Sequence, residues 1–559
     1  MELFKVCAKF ILLHALPLPR LQKAIDHIAA ACLAEGITEA VICPGSRNAP
    51  LTIAFVRSGK FTCLSVADER SAGFIALGKA IALQKPVVLI CTSGSAVANF
   101  YPAVLEAYYQ HVPLVVITAD RPSEMIDQWD GQTIRQSGLF GSHVLGFWPT
   151  PESYSNPPLF AQITQNAIRK ATSSLPGPVH INVPLFEPLY PDPERGYSAE
   201  WEISERIKYP IKTDPFESTI LKGKKILVLR GMRQDKVLVA PQGVAVYEDI
   251  LCRNTADADT VSELIFMNKD DAYLEALKPD ILLTDGTAIL SKTVKQFLRA
   301  WPPTLHFHFS LYGEIADPFD TRPELVRNDL EGIFQDLAEH GDSAYAELLV
   351  NESRRCRASR DLVLKASSWN EFKVIHTALD HLPDSAVIHA ANSMAIRYVA
   401  YCEPQKRGHA VYSNRGTSGI DGCVSTALGF ASIHKGNNHL FVGDVAFFYD
   451  SNAFWNALAQ TPLKVVLINN GGGGIFRLID GPASQPESHE FFESSHERDA
   501  KDLCKNLGIA YLRAENEAEL EKALVELNKS GKPCVLEVFT EPKADQLFFN
   551  HYKSVFHGV

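Results

Sequence analysis

The chain has 559 residues, a net charge of −11, 46% hydrophobic residues and 21% charged residues. That length predicts two to four domains, the composition is that of a soluble globular protein, and the negative charge argues against a general nucleic-acid binder. Eleven cysteines show no CxxC pair and no zinc spacing, which fits thiols used as small core residues in a reducing cytoplasm.

Residues 10–17 are apolar but too short to span a membrane. They lack a strong basic start and the small-residue cleavage site of a secretory signal, and read as an N-terminal extension, with a signal as the alternative. No later stretch reads as a transmembrane helix. Residues 20–36 have helical apolar spacing and stop at Gly36. Residues 39–43 read as a strand, followed by Pro44-Gly45-Ser46-Arg47-Asn48-Ala49-Pro50, a strand, glycine turn and helix start that suits an anion. Cys43 reads as a strand-end core residue, with a nucleophile as the alternative. Residues 61–66 are a second strand, closing on Ala67-Asp68-Glu69-Arg70, so that Glu69 would end a buried strand and begin a helix. That helix is rich in small residues (Ala72, Gly73, Ala76, Gly78, Ala80), which predicts close packing against another element. Residues 87–91 lead into Thr92-Ser93-Gly94, residues 114–118 into Ala119-Asp120-Arg121-Pro122, and residues 178–183 close the region. Strands alternating with helices predict a doubly wound parallel sheet in a first domain at 1–195.

Residues 190–215 are rich in proline and charge and read as a linker. Strands at 225–231 and 279–286 begin a second α/β domain, 215–340, with no GxGxxG after a strand and hence no flavin or nicotinamide fingerprint. Residues 338–370 read as a charged helical connection. The third domain, 369–559, has a short strand at 386–389, then Ala391-Asn392-Ser393 and Arg397, and a last strand at 532–540. Between these, residues 440–444 and 465–470 read as two buried parallel strands joined by a crossover helix over 451–460. The first and third domains share a rhythm of strand, glycine and helix, as duplicated halves would.

Asp444 and Asn470 stand at the ends of those two strands, where open α/β sheets bind ligands. An Asp carboxylate, an Asn amide oxygen and a backbone carbonyl, that of Gly472, suit a small hard cation such as magnesium. The glycines at 471–474 let backbone approach a ligand closely; a glycine-rich turn without a ligand is the bland alternative. Glu69 reads either as an acid answering a helix dipole, worth about 0.3–1 kcal/mol, or as a functional carboxylate. Residues 413–422 read as a loop or as a phosphate-facing turn with backbone N–H donors, and Ser393 is a further donor. Arg47, Arg121, Arg397 and Arg415 follow strand ends or glycine turns. Each alone fits a surface ion pair; together they would make a cationic pocket for a substrate with several carboxylates. Gln132 adds a neutral donor, and Lys292 opens a helix in the middle domain. Ile475 and Phe476 read equally as core or as an apolar wedge that holds a cofactor bent.

The Gly443-Asp444 and Asn469-Asn470 pair resembles the GD…NN signature of the thiamine diphosphate-dependent enzymes, with Val445 where a glycine is usual. The blocks Cys-Pro-Gly-Ser-Arg-Asn-Ala-Pro-Leu (43–51), Ala-Asp-Glu-Arg-Ser-Ala-Gly-Phe (67–74), Thr-Ala-Asp-Arg-Pro (118–122), Gly-Gln-Thr-Ile (131–134), Ser-Asn-Arg-Gly-Thr-Ser-Gly-Ile-Asp-Gly (413–422) and Asn-Asn-Gly-Gly-Gly-Gly-Ile-Phe (469–476) resemble one branch of it. That branch is the 2-succinyl-5-enolpyruvyl-6-hydroxy-3-cyclohexene-1-carboxylate synthase family of menaquinone biosynthesis, and the likeness runs from about Leu21, thinning in the middle domain. The resemblance implies three α/β domains (pyrimidine-binding, central and diphosphate-binding). It implies a reaction in which 2-oxoglutarate loses carbon dioxide and the remaining succinyl-semialdehyde carbanion adds to isochorismate. It implies thiamine diphosphate with Mg2+ or Mn2+ held by Asp444, Asn470 and the Gly472 carbonyl. Gly443, Ser393, Ile475 and Phe476 would also lie on the cofactor, which Glu69 would activate. Ser46, Arg47, Arg121, Gln132, Lys292, Arg397 and Arg415 would meet substrate, Arg397 and Arg415 also serving catalysis. Gly131 stands where the family has asparagine. A homodimer or homotetramer, with each site shared between subunits, would follow. The alternatives are another thiamine-dependent 2-oxo acid decarboxylase or carboligase of the acetolactate kind, and a catalytically silent binder of the same fold.

Overall fold

The computed structural model describes residues 18–203, 211–232, 243–252, 259–478 and 481–557. The apolar stretch 10–17 and residues 204–210 of the predicted linker lie outside the described residues. Among the described residues there are three sheets, and their paired strands are parallel throughout. Glu39–Ile42 (β1), Thr62–Ser65 (β2), Val87–Cys91 (β3), Leu114–Asp120 (β4), Phe147–Pro149 (β5) and Val179–Pro184 (β6) form the first, in the order β2-β1-β3-β4-β6-β5. Ile226–Arg230 (β7), Ala245–Glu248 (β8), Ile281–Asp285 (β9), Leu305–Phe309 (β10) and Glu324–Val326 (β11) form the second, in the order β11-β10-β9-β7-β8. Val387–Ala390 (β12), Ala410–Tyr412 (β13), Asn438–Gly443 (β14), Leu463–Asn469 (β15), Ala510–Ala514 (β16) and Cys534–Phe539 (β17) form the third, in the order β13-β12-β14-β15-β17-β16.

The third sheet thus repeats the strand order of the first, so the shared rhythm reflects shared connectivity. In each, the winding reverses beside its first strand, between β1 and β3 and between β12 and β14. Ligands of open α/β sheets bind at such reversals, outside the carboxyl ends of the strands. Strands β3, β4 and β15 are buried at every position, as continuous apolar runs between two helical layers must be. Strand β2 is different: it lies on the edge and buries only Leu64, so Glu69 does not follow a buried strand.

The chain packs as two compact units. One comprises the described residues through Ile207 with Gly416–Lys435 and Asp450–Thr461, and holds the first sheet. The other comprises the described residues from 211 to Arg415, Gly436–Tyr449 and those from Pro462 on, and holds the second and third sheets. One apolar core joins these two sheets, running from Leu227 and Leu282 through Tyr345, Leu349 and Leu364 of the Ser343–Ala366 helix to Phe441, Val466 and Leu536. In the first unit the small-residue helix, Glu69–Leu83, packs against Cys423–Ile433. A Cβ on Gly78 would stand 2.0 Å from the Thr426 carbonyl oxygen, and one on Gly429 would stand 2.2 Å from the Ile75 carbonyl oxygen. The helices therefore meet backbone to backbone.

The crossover from β14 to β15 is not one helix over 451–460. A helix starts directly at Asp444 (Asp444–Tyr449), and two short 3-10 turns follow, Ser451–Phe454 and Ala457–Gln460. Asn456 breaks the run. Its side-chain oxygen accepts the Leu458 N–H at 2.8 Å and its amide donates to the Ala453 carbonyl at 2.7 Å, replacing helical bonds with local ones. Among the described residues no helix is long and apolar enough to cross a membrane.

Candidate active site

At the reversal of the third sheet, Asp444 follows the last residue of β14 and is 2% exposed. Its Oδ2 accepts the backbone N–H groups of Asn470 at 3.1 Å and Gly472 at 3.0 Å, and its Oδ1 accepts that of Val445 at 2.6 Å. One carboxylate thereby gathers the turn after β15 around itself. Burial pushes its pKa up, and His496, whose Nε2 is 3.6 Å away, and the backbone donors oppose that only in part. A cation beside Asp444 would offset the cost of burying its charge. The Asn470 amide donates to Glu371 Oε2 at 3.3 Å, with Asp545 beside it, which leaves its oxygen as the acceptor for a cation. Gly472 has φ +152°, and a Cβ there would lie 2.8 Å from the Glu493 carbonyl oxygen. Carboxylate, amide and carbonyl oxygens fit Mg2+ or Mn2+. Among the described residues no group of three or more His, Cys, Asp or Glu is placed to hold a metal, so a cation here relies on the amide and carbonyl oxygens.

Across the same reversal, β12 leads through Asn392 to Ser393, which precedes the Met394–Cys402 helix with φ +75°. Serine seldom adopts that conformation, and such strain gathers at ligand sites; the helix start beyond it favours phosphate. Arg397, half-buried on that helix, donates to the Ser393 carbonyl, and burial lowers its pKa. Arg415, three residues beyond β13, donates to Asn392 Oδ1 at 2.9 Å, while the Asn392 amide donates to the Asn414 carbonyl at 2.7 Å. Two cations are thus held at the edge that carries Asp444.

In the first unit, Glu69 opens its helix, and Asp68 caps it by accepting the Ser71 N–H at 3.2 Å. The charge of Glu69 reaches the thiols of Cys43 and Cys91, which end β1 and β3, so Glu69 stands at the reversal of the first sheet. Cys43 is buried, and burial pushes its thiol far up, which fits core rather than nucleophile. Arg47 donates to the Leu185 carbonyl at 2.8 Å and to Glu187 at 3.1 Å. Its pKa is lowered first by burial and then by the charge of Arg121. The Nε atoms of both are buried without hydrogen-bond partners, a pair that an anion would satisfy. Arg121 also donates to the Gly131 carbonyl at 3.0 Å, in a loop stitched to the end of β3 by the Ser93 hydroxyl, which donates to the Gln132 carbonyl at 2.9 Å. Gln132 is exposed, with φ +58°, and Ser46 is exposed.

Each unit therefore holds two of the four arginines singled out in the sequence. Lys292 begins the Lys292–Ala300 helix as expected and is exposed. The electrostatic neighbour of Arg415 on that helix is instead Lys295, one turn on, with Asp249 beside both. Ile475 packs on the core of the second unit, and Phe476 stands 6.1 Å, ring to ring, from Phe492. The turn at 413–422 does not offer all its N–H groups to a phosphate: those of Gly416 and Thr417 go to Glu106, each at 2.7 Å. Sequence reasoning passed over Glu106, Glu371 and Asp545, because a buried acid in a helix has the same local pattern as a surface one.

Residues 22–139 match the family described as thiamine pyrophosphate enzyme, N-terminal TPP binding domain, and residues 392–538 match its C-terminal TPP binding domain. The chain is 37% identical over 553 residues to the 2-succinyl-5-enolpyruvyl-6-hydroxy-3-cyclohexene-1-carboxylate synthase of Cytophaga hutchinsonii, with 95% of this chain and 98% of that one covered. It is 35% identical over 555 residues to the synthase of that name from Flavobacterium johnsoniae (94% and 98% covered) and 34% identical over 559 residues to that from Bacteroides fragilis (95% and 98%). With both thiamine pyrophosphate domains matched and the likeness running nearly end to end, the chain belongs to the 2-succinyl-5-enolpyruvyl-6-hydroxy-3-cyclohexene-1-carboxylate synthase family of thiamine pyrophosphate enzymes.

Proposed function

We propose that this chain is a transferase of menaquinone biosynthesis. It decarboxylates 2-oxoglutarate and joins the remaining four-carbon unit to isochorismate, giving 2-succinyl-5-enolpyruvyl-6-hydroxy-3-cyclohexene-1-carboxylate and carbon dioxide. The observation that carries the reaction class is the oxygen set at the ends of β14 and β15, where buried Asp444 grips the backbone of Asn470 and Gly472. Thiamine diphosphate, when bound, supplies the carbon nucleophile and the electron sink that decarboxylation needs.

The residues have these parts. Asp444, Asn470 and the Gly472 carbonyl would hold Mg2+ or Mn2+, which would neutralise diphosphate charge, with Gly443 beside them. Ser393 and the helix start behind it donate to the diphosphate. Glu69 holds a proton at a ring nitrogen of the cofactor. Arg47 and Arg121 take one set of substrate carboxylates, Arg397 and Arg415 another, each guanidinium forking onto two oxygens; Ser46, Gln132 and Lys292 add single donors. Ile475 and Phe476 give the cofactor an apolar wall. The neighbouring Arg47 and Arg121, whose Nε atoms are buried without hydrogen-bond partners, support a substrate with several carboxylates. A homodimer or homotetramer with shared sites is the assembly that the family resemblance supports, and light scattering tests it. The ten described cysteines are all unpaired, which supports a cytoplasmic location.

The deciding experiment mixes purified protein, thiamine diphosphate, magnesium and 2-oxoglutarate, and follows carbon dioxide release with and without isochorismate. Consumption of both substrates together is the expected result. Carbon dioxide release indifferent to isochorismate would make the chain a general 2-oxo acid decarboxylase instead.

A further inference from the structure

Glu371 is a buried carboxylate with no part in the reaction as described. It is 5% exposed and opens the Glu371–Asp380 helix. Its two oxygens point to two different parts of the site. Oε1 accepts the Tyr398 hydroxyl at 2.6 Å, and Tyr398 follows Arg397 on the helix that begins after Ser393. Oε2 accepts from the Asn470 amide at 3.3 Å. The Glu371 backbone N–H donates to Asp545 Oδ1 at 2.8 Å, and the Thr540 hydroxyl holds Oδ2 of Asp545 at 2.8 Å. Asp545 stands beside the Asn470 side chain as well.

Two carboxylates therefore stand beside one amide. With Oε2 of Glu371 accepting from it, the amide nitrogen is committed to this side. The amide oxygen therefore faces away from Glu371. Burying two acids side by side is unfavourable for the fold, since apolar side chains of the same volume are commonly as stable or more so. Their arrangement makes sense as orientation of a ligand.

We propose that Glu371 is a positioning residue that locks the Asn470 amide with its oxygen turned to the cation site and, through Tyr398, ties that ligand to the helix carrying Arg397. The inference rests on the cation site of the proposed function. Partners of this kind commonly set metal affinity by a factor of about 10–100.

The test is titration of Mn2+ into the protein with thiamine diphosphate and no substrate, reading free Mn2+ by its paramagnetic resonance signal. Glu371→Met removes both acceptors at constant length and should weaken Mn2+ binding about tenfold or more. Glu371→Gln keeps one oxygen that can accept from Asn470 and should stay within about threefold of the parent. Tyr398→Phe removes only the other arm and should leave Mn2+ affinity unchanged. Should Glu371→Met not fold, Glu371→Asp keeps the charge but draws the carboxylate back by one methylene, and it too should weaken Mn2+. Either variant, folded and binding Mn2+ like the parent, would overturn the role of Glu371 while leaving the cation site intact. A parent that binds no Mn2+ would overturn the cation site itself.

Discussion

The carboxylate of Glu106 accepts both the backbone N–H and the hydroxyl of Thr417, at 2.7 and 2.6 Å, through one oxygen. Its other oxygen accepts the Gly416 N–H at 2.7 Å, and Glu106 is 1% exposed. Glu106→Ala would leave these donors without an acceptor in a closed space, at about 1–3 kcal/mol for each that finds no water. The expected loss in urea unfolding is about 2–4 kcal/mol, with kcat/KM falling as well because Gly416 adjoins Arg415. Stability within about 0.5 kcal/mol of the parent would mean that the loop does not depend on this grip.

Gly78→Ala tests the contact between the two helices of the first unit. The new Cβ would lie 2.0 Å from a backbone oxygen, and a backbone atom cannot swing aside as a side chain can. Overpacking of this kind costs about 1–3 kcal/mol and sometimes more; the expected value is at the upper end, seen as a lower thermal midpoint. Gly196→Ala is the control, since nothing lies within 4 Å of its Cβ, and its midpoint should not move.

Glu69→Gln should remove turnover while leaving the fold and most of the cofactor affinity. The helix start is spared because Asp68, not Glu69, supplies the cap. Rapid-quench kinetics with calorimetric cofactor titration separate the two effects. Near-parental turnover would strip Glu69 of its role.

Asp444→Ala should lose metal-dependent cofactor binding by about 100-fold or more, since it removes the one carboxylate of the oxygen set. The same variant frees the N–H groups of Asn470 and Gly472, so circular dichroism should accompany the titration. A folded variant whose thiamine diphosphate affinity still rises with magnesium as the parent's does would move the metal elsewhere.

Asp450 makes stability depend on pH. It is fully buried, and burial pushes its pKa up from 3.8 to about 7, against hydrogen bonds from the Ser425 backbone at 2.7 Å and hydroxyl at 2.8 Å. Below about pH 7 the acid is therefore uncharged in the folded protein. Its contribution is therefore full below the unfolded pKa near 4 and is lost as pH rises toward and through about 7. Asp450→Asn does not titrate, so relative to the parent it should gain about 2–3 kcal/mol between pH 5 and pH 8, by urea unfolding at both values. An unchanged difference across that range would show that Asp450 is charged in the folded state.

Much of the site was legible because its residues sit where the chain changes character. Strands β3, β4, β14 and β15 announce themselves as apolar runs, since a parallel strand under two helical layers has no wet face. Asp444, Asn470 and Arg121 follow such runs directly, and Ser393 and Arg47 lie within a few residues of β12 and β1. The edge strands β5 and β16 gave no such signal: β5 buries no residue and β16 one. The helix over 451–460 failed as an expectation for a local reason, the Asn456 side chain competing for backbone partners.

What the sequence by itself determined is the doubly wound class, the family and the oxygen and arginine positions at the strand ends, because these are properties of short windows. Tertiary structure decided which acids hold that machinery in place. Glu106 meets its turn across 310 residues and Glu371 meets Asn470 across 99. No local pattern marks them: a carboxylate reads as solvent-facing until the fold closes over it, and only then does it need, and find, its donors.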